Sequence, residues 1–195
     1  MATIRLAAPP DAAAIAAIYA PFCTHSIVSF EESAPPAEEV AARVARYASH
    51  FPWLVLDDLG TVAGYAYSSP HRERAAYRWA VDVSVYVHPD YRRMGVGRAL
   101  YTALVPILAA QGYHRAFAGV ALPNPASEGL HEAVGFTEVG VYRRVGWKLG
   151  GWRDVRWYQL SLADGEPAPV SPVRQVNGTP AWGEALRAGL ALYRG

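Results

Sequence analysis

The hydrophobic positions of this chain follow two periods, which predict strands and helices mixed along its length. The run Trp79–Val87 is rich in β-branched and aromatic residues and predicts a buried strand. Residues 97–111 instead place leucines at intervals of four and predict a helix that ends at Gly112. Further strands are expected at residues 4–6, 53–56, 61–68, 115–122, 137–142 and 155–162. The pattern indicates an α/β fold.

Turn and capping residues set the expected limits of the other elements. A helix should follow Asp11 and bend or end at Pro21, and a second should begin near Pro35. Residues 57–60 are typical of a hairpin turn between two strands. Asn124 is a suitable cap for a short helix that reaches Val134.

The chain is predicted to hold one main domain with a C-terminal appendage. Residues 1–163 carry the mixed pattern, whereas residues 164–180 are rich in Pro, Gly and polar residues and predict a linker. Residues 181–195 predict an amphipathic tail, with Trp182, Leu186, Leu190 and Tyr193 on one face. Three roles are open for this tail: covering a sheet edge, joining a dimer or remaining mobile.

Composition narrows the classes of function. A formal net charge of +1 over 195 residues provides no broad field for nucleic acid or an anionic membrane. The single Cys23 allows no internal disulfide and no zinc site of its own, which suits a reducing, cytoplasmic compartment. No segment has the pattern of a secretory signal or a membrane span. We expect no metal.

The most informative segment, residues 85–100, runs from a strand through a basic, glycine-spaced turn into a helix. Gly95 and Gly97 allow backbone N–H groups to approach an anion closely, and Arg93 and Arg98 add positive charge. A helix start with solvated arginines is the alternative interpretation. Leu100 stands where a dinucleotide fingerprint needs a third small residue, and the Gly-Lys-Ser/Thr of a P-loop is absent.

In its wider context this turn resembles a known motif. The sequence Arg92-x-x-Gly95-x-Gly97 after a strand is similar to the acetyl-CoA pyrophosphate motif of the GNAT acetyltransferases. Residues 111–113, 122–124 and 130–136 follow in the order and spacing seen in that superfamily. Residues 30–31, 52–55 and 146–155 resemble its phosphinothricin acetyltransferase branch in particular. The resemblance spans Ile4 to Leu162 and leaves the tail uncovered.

The resemblance implies a mixed, strongly twisted sheet flanked by helices, a homodimer, and direct acetyl transfer from acetyl-CoA to a small-molecule amine. The residues that it implies for the cofactor are Val85, Tyr86, Val87, Arg93, Met94, Gly95, Val96, Gly97, Arg98 and Asn124. A backbone N–H near Val87 is the expected donor to the developing oxyanion. Asn124 is expected both to cap its helix and to contact the cofactor.

Two residues are candidates for catalysis. Asp82 places a carboxylate inside an apolar strand, where it either points outward to solvent or serves in a cleft. The branch holds a glutamate at this position that is proposed as general base, and aspartate is one methylene shorter. It therefore acts directly, acts through water, or leaves the base elsewhere. His131 stands where many GNAT enzymes carry a tyrosine that protonates the thiolate, and a purely structural histidine is the alternative.

Recognition of the acceptor is expected in the polar loop of residues 71–77. An amino-acid carboxylate favours the planar fork of arginine; Arg74 is the first choice because it matches an arginine of the branch, and Arg72 is the second. Phe30, Tyr77 and Trp79 are candidates for the wall of the pocket, although aromatic residues at such positions more often belong to the core. Lys148 is expected to close the site or to line a subunit contact.

The preferred acceptor is a small amino acid or analogue such as phosphinothricin or methionine sulfoximine. The other acceptors considered are a polyamine, an aminoglycoside and a protein N-terminus, and the basic loop argues against a polycation. A CoA-binding regulatory module without turnover is the remaining alternative.

Overall fold

Seven strands form one mixed sheet in the order β1-β2-β3-β4-β5-β7-β6 in the computed structural model, which describes all 195 residues. The strands are β1 (Thr3–Leu6), β2 (Trp53–Asp58), β3 (Thr61–Pro70), β4 (Ala80–Val87), β5 (Arg115–Ala121), β6 (Thr137–Lys148) and β7 (Gly151–Ser161). The helices are α1 (Ala12–Thr24), α2 (Ala37–Tyr47), α3 (Val96–Gln111), α4 (Pro125–Val134), α5 (Val173–Val176) and α6 (Pro180–Leu190). The predicted α/β class and mixed sheet are confirmed.

The expected periodicities account for the central elements. The leucines of α3 are fully buried in the main core against the sheet. Gly112 ends α3 in the left-handed conformation, and its N–H donates to the carbonyls of Leu108 and Ala109. The predicted hairpin is confirmed by the antiparallel pairing of β2 with β3 around residues 59–60.

One irregularity of the sheet creates an opening between two of its strands. The strands β4 and β5 are parallel neighbours, but they pair only from Ala80–Arg115 to Asp82–Phe117. Beyond Asp82, β4 continues to Val87 without β5 beside it, so one edge of its backbone is left unpaired. A cleft therefore opens between the two strands, with Asp82 at its closed end.

One helix and one hairpin run beyond the limits expected from the sequence. Of the two outcomes expected at Pro21, a bend or an end, the end is wrong: α1 runs to Thr24, and the Pro21 carbonyl still accepts a hydrogen bond from the His25 N–H. The strands β6 and β7 are longer than their hydrophobic runs, since pairing continues through Gly146–Arg153 to the turn at residues 149–150. Most residues in the outer part of this hairpin are exposed, so the sequence there lacks the alternation of apolar and polar residues that predicts a strand.

The C-terminal residues pack into the same core as the rest of the chain. The predicted face of α6 is confirmed: Trp182 is 6% exposed, and Leu186, Leu190 and Tyr193 pack against the main core. A Cβ at Gly189 would lie 2.5 Å from the Ala99 carbonyl oxygen, so α6 approaches α3 closely. None of the helices is long and apolar enough to span a bilayer.

Candidate active site

A cavity of about 660 Å³ lies where β4 leads into α3; we call it the large cavity. Its walls combine apolar residues of β4 with the basic turn that follows that strand. Its lining includes Val85, Tyr86, Val87, Arg92, Arg93, Gly95, Val96, Gly97, Arg98, Asn124, Ser127, Leu130, Leu192 and Arg194. Four arginines and no carboxylate line it, so the cavity suits an anion with an apolar arm.

The turn presents backbone donors to this cavity. The first hydrogen bond of α3 joins the Ala99 N–H to the Gly95 carbonyl, so the N–H groups of the three preceding residues have no helical acceptor. Arg93 and Gly95 adopt positive φ values of 66° and 84°, which fold the backbone tightly around the helix start. Free N–H groups and the positive end of the helix dipole together favour a phosphate.

A smaller cavity of about 50 Å³ fills the cleft between β4 and β5; we call it the junction cavity. It shares Val85, Tyr86, Asn124 and Ser127 with the large cavity, so the two adjoin. Asn124 caps α4, since its side-chain oxygen accepts from the Ser127 N–H at 3.2 Å, and it also lines both cavities. Both expected roles of Asn124 therefore have the required placement.

His131 lies in the wall of the junction cavity and is only 4% exposed. Its Nδ1 is 2.7 Å from the Ser127 carbonyl, which only accepts, so Nδ1 carries the proton and Nε2 accepts from the Tyr101 hydroxyl at 3.1 Å. Burial lowers the pKa of His131 and keeps the ring neutral. These bonds agree with the structural interpretation, whereas the position in the cavity wall agrees with the functional one.

Asp82 is paired with a histidine that pattern analysis did not select as a catalytic residue. The Asp82 Oδ1 lies 2.6 Å from His71 Nδ1, and the Asp82 side chain keeps 29% of its surface exposed. The His71 ring stacks on Phe117 with centroids 4.2 Å apart. Burial raises the pKa of Asp82, and the bond with His71 opposes that rise. The carboxylate is thus neither solvated nor isolated.

Next to this pair lies a third cavity of about 290 Å³, which we call the aromatic cavity. It is lined by His71, Arg72, Phe117, Val139, Gly140, Val141, Tyr142 and Trp157. The Arg72 guanidinium lies 5.8 Å from the centre of the Trp157 ring and donates to the His71 carbonyl. The cavity therefore offers one cation, a set of aromatic walls and a histidine bonded to a carboxylate.

Comparison with known proteins identifies the family. Residues 13–136 match the model described as "Acetyltransferase (GNAT) family". The chain belongs to the GNAT family of acetyltransferases. It is an acetyl-CoA-dependent N-acetyltransferase, and the sheet that splits between β4 and β5 is the GNAT fold.

Individual relatives agree with this assignment. The chain is 39% identical over 174 residues to phosphinothricin N-acetyltransferase of Streptomyces viridochromogenes, covering 89% of this chain and 95% of that protein. It is 36% identical over 168 residues to the L-methionine sulfoximine/L-methionine sulfone acetyltransferase of Salmonella typhimurium, covering 86% and 98%. A crystal structure of a phosphinothricin acetyltransferase from Sinorhizobium meliloti in complex with AcCoA superposes with a TM-score of 0.81 at 35% identity, covering 86% and 93%.

The large cavity of this GNAT chain fits acetyl-CoA. Arginines and free N–H groups surround the turn, as phosphates require, and apolar residues of the unpaired edge of β4 suit the pantetheine arm. Nine of the ten residues predicted for the cofactor line this cavity. The tenth is Met94, whose carbonyl accepts a hydrogen bond from the Arg194 N–H. Leu192 and Arg194, which also line the cavity, were missed because the motif of the GNAT family ends far upstream.

The residues predicted for the acceptor separate into two groups. Arg72 lines the aromatic cavity, and the Tyr77 ring lies 5.9 Å from His71. Arg74, the first choice, lies outside that cavity: its carbonyl begins a turn at residues 75–77 and its side chain is exposed. Phe30 also lies outside, where its ring packs against Gly146.

Lys148 is not placed for direct binding of the acceptor. Its side chain belongs to the interior, with the whole residue 5% exposed, and its ammonium donates to the backbone carbonyls of Cys23 and Glu31. It therefore joins the end of β6 to the last turn of α1 and to the segment that follows this helix. Nothing in the sequence indicated this burial, because lysine usually keeps its charge in water and only the fold provides the two buried acceptors.

Proposed function

We propose that the chain transfers the acetyl group of acetyl-CoA to the α-amine of a small amino acid or analogue, such as phosphinothricin or methionine sulfoximine. The observation that carries this proposal is the Asp82–His71 pair beside a cavity lined by Arg72. A guanidinium suits the acceptor carboxylate, and a volume of about 290 Å³ suits a small amino acid. The names of the relatives support the same class of acceptor.

We propose that His71 is the general base of the reaction and that its Nε2 atom accepts the proton. His71 Nδ1 is bonded to Asp82, whereas Nε2 has no hydrogen-bond partner within the chain. With the Nδ1 proton held by the carboxylate, Nε2 is free to accept a proton from the acceptor amine as the amine nitrogen bonds to the acetyl carbon. The C–S bond of the thioester would then break, and CoA would leave as a thiolate that takes up a proton. Asp82 then orients the ring and stabilises its charged form. This arrangement gives the short aspartate a second group that extends its reach.

The bound co-substrate supplies an activated acetyl group as a thioester. Arg92, Arg93, Arg98 and the free N–H groups at the start of α3 would hold its phosphates, and Asn124 would lie beside its arm. The unpaired backbone edge of β4 provides N–H donors close to the junction cavity. One of them would donate to the carbonyl oxygen of the thioester as negative charge develops there.

The pH dependence of kcat/KM should reflect the titration of the Asp82 carboxylate. Protonation of Asp82 removes the charge that stabilises a protonated His71, so kcat/KM falls as the pH drops through the raised pKa of Asp82. The acid limb should therefore lie above the pH at which an ordinary aspartate titrates. Dividing the wild-type profile by that of Asp82→Asn removes the titration of the acceptor amine, which both proteins share. A ratio that stays constant with pH would contradict this assignment.

The function is tested by CoA release from acetyl-CoA over a panel of amines. Turnover should be greatest for phosphinothricin, methionine sulfoximine, methionine sulfone or a small amino acid. It should be much lower for the corresponding decarboxylated amines, because they lack the group that Arg72 would bind. The panel also includes spermidine, an aminoglycoside and an N-terminal peptide. Preference for one of these would overturn the acceptor class, and binding of acetyl-CoA without turnover would favour a regulatory module.

We also propose that two chains associate through the β6–β7 hairpin. Six large apolar residues on this hairpin are about half exposed: Val139, Tyr142, Val145, Trp147, Leu149 and Trp152. Several exposed large apolar side chains on one hairpin are typical of a protein interface, although Val139 and Tyr142 also line the aromatic cavity. Light scattering should give twice the chain mass of 21.1 kDa, and Val145→Asp should give the mass of one chain. A wild-type protein of single-chain mass at micromolar concentration would contradict this proposal.

We propose a cytoplasmic location because the chain has a single thiol, that of Cys23, and it is fully buried.

A further inference from the structure

The last five residues, 191–195, cross the turn that binds the cofactor phosphates; we call them the C-terminal strap. The Arg194 N–H donates to the Met94 carbonyl at 3.0 Å, and a Cβ at Gly95 would lie 2.3 Å from the Leu192 carbonyl oxygen. The Tyr193 hydroxyl donates to Asp58 Oδ2 at 3.0 Å. The strap is thus attached both to the turn and to the end of β2.

The strap contributes lining and charge to the large cavity. Ala191, Leu192 and Arg194 belong to its wall together with the arginines of the turn. Arg194 is exposed and makes no side-chain hydrogen bond or ion pair, so its guanidinium is available to an anion. With no carboxylate in the lining, the chemistry that this cation would recognise there is a phosphate.

The placement of the strap follows from the packing of the C-terminal helix. The close contact of Gly189 with Ala99 holds α6 against α3, and α3 begins at the cofactor turn. The motifs that carry the family resemblance lie between Ile4 and Leu162, so the strap lies outside the part of the chain that holds them. The strap nevertheless packs against the turn at the start of α3.

We propose that the C-terminal strap is a cofactor-binding element of this enzyme and that Arg194 binds a phosphate of the nucleotide half of acetyl-CoA. Truncation of the strap would also disturb α6, so single substitutions are the sharper test. Arg194→Ala should weaken the binding of CoA, measured by titration calorimetry, by about 5- to 30-fold. Arg194→Lys should recover part of that loss, because it restores the charge without the planar fork.

The matched control is Arg187→Ala, which removes an exposed arginine of α6 that does not line the cavity. It should bind CoA within about twofold of the wild type, as expected for an exposed charge outside the site. Tyr193→Phe removes the bond to Asp58 and should weaken CoA binding less than Arg194→Ala does. Hydrogen exchange of the Arg194 amide should slow when CoA is bound.

Two shortened ligands identify the contact. If Arg194→Ala weakens CoA but not 3′-dephospho-CoA, the arginine binds the 3′-phosphate; if it weakens both equally, it binds the pyrophosphate. Wild type and Arg194→Ala should bind acetyl-pantetheine with equal affinity, because that ligand has no phosphate. Equal CoA affinity of wild type and Arg194→Ala, or an equal loss with acetyl-pantetheine, would overturn the proposal. Tighter CoA binding by Arg194→Ala would also overturn it and would make the strap an obstruction.

Discussion

Replacing Asp82 with asparagine is expected to lower kcat/KM for the acceptor by about 10²- to 10⁴-fold, the usual contribution of a positioned acid–base group. Asparagine keeps the size of the side chain and an oxygen for His71, but it removes the charge that stabilises a protonated ring. The affinity for CoA should stay within about twofold, because Asp82 lies outside the large cavity. Steady-state kinetics and calorimetry measure the two quantities separately.

The partner substitution distinguishes the two roles in this pair. If His71 accepts the proton, His71→Gln should lower kcat/KM by at least about 10²-fold. If Asp82 accepts it directly, His71→Gln should have the smaller effect, and the ratio of the His71→Gln profile to the Asp82→Asn profile should still fall as the pH drops through the raised pKa of Asp82. Wild-type turnover in Asp82→Asn would remove the pair from the mechanism altogether.

The stability of Asp82→Asn provides an independent check. A carboxyl whose pKa is raised by folding binds its proton more tightly in the folded chain, so it stabilises the fold at low pH. This contribution is lost as the pH rises through the raised pKa, and at neutral pH the ionised group costs stability. The free energy of unfolding at neutral pH should therefore be unchanged or higher in the variant. Lost activity with lower stability would indicate a folding defect.

Replacing Trp182 with alanine is expected to lower the free energy of unfolding by about 3–5 kcal/mol, as for other buried tryptophans. Its side chain belongs to the same core as α3 and β4, although Trp182 lies 21 residues beyond Ser161, where β7 ends. A cavity there would loosen α6 and with it the strap. Denaturant unfolding followed by fluorescence and circular dichroism measures the change.

Two variants of the same helix serve as comparisons. Trp182→Phe leaves a smaller cavity and should destabilise less than alanine does. Glu184→Ala changes an exposed residue of α6 and should stay within about 0.5 kcal/mol of the wild type. If Trp182→Ala unfolds at the wild-type denaturant concentration, α6 does not belong to the cooperative fold.

Much of the cofactor site could be predicted because it is continuous in sequence. The strand, the turn and the start of α3 are consecutive, and local requirements such as a left-handed glycine leave a local pattern. The capping role of Asn124 could be predicted for the same reason, since the cap of α4 involves only residues 124–127. The order of these segments was sufficient to identify the family.

The acceptor site was less predictable because its parts meet only in the folded chain. The loop at residues 71–77 was correctly expected near Asp82, but sequence order could not decide between Arg72 and Arg74. In the fold, Arg72 lies against Trp157 of β7 while Arg74 begins an exposed turn, and this difference is why we propose Arg72 for the acceptor carboxylate. Lys148 shows the same limit: its two carbonyl acceptors lie more than 110 residues away along the chain.

The sequence by itself therefore determined the fold class, the cofactor turn and the presence of a carboxylate at position 82, because each depends on neighbouring residues and on the periodicity of burial. Only the tertiary structure decided that His71 bonds to this carboxylate, that Lys148 is buried and that Arg194 returns to the cofactor turn. A hydrogen bond or charge pair between distant segments requires its two atoms to be placed to within about a few tenths of an ångström. No spacing in the sequence encodes such a placement.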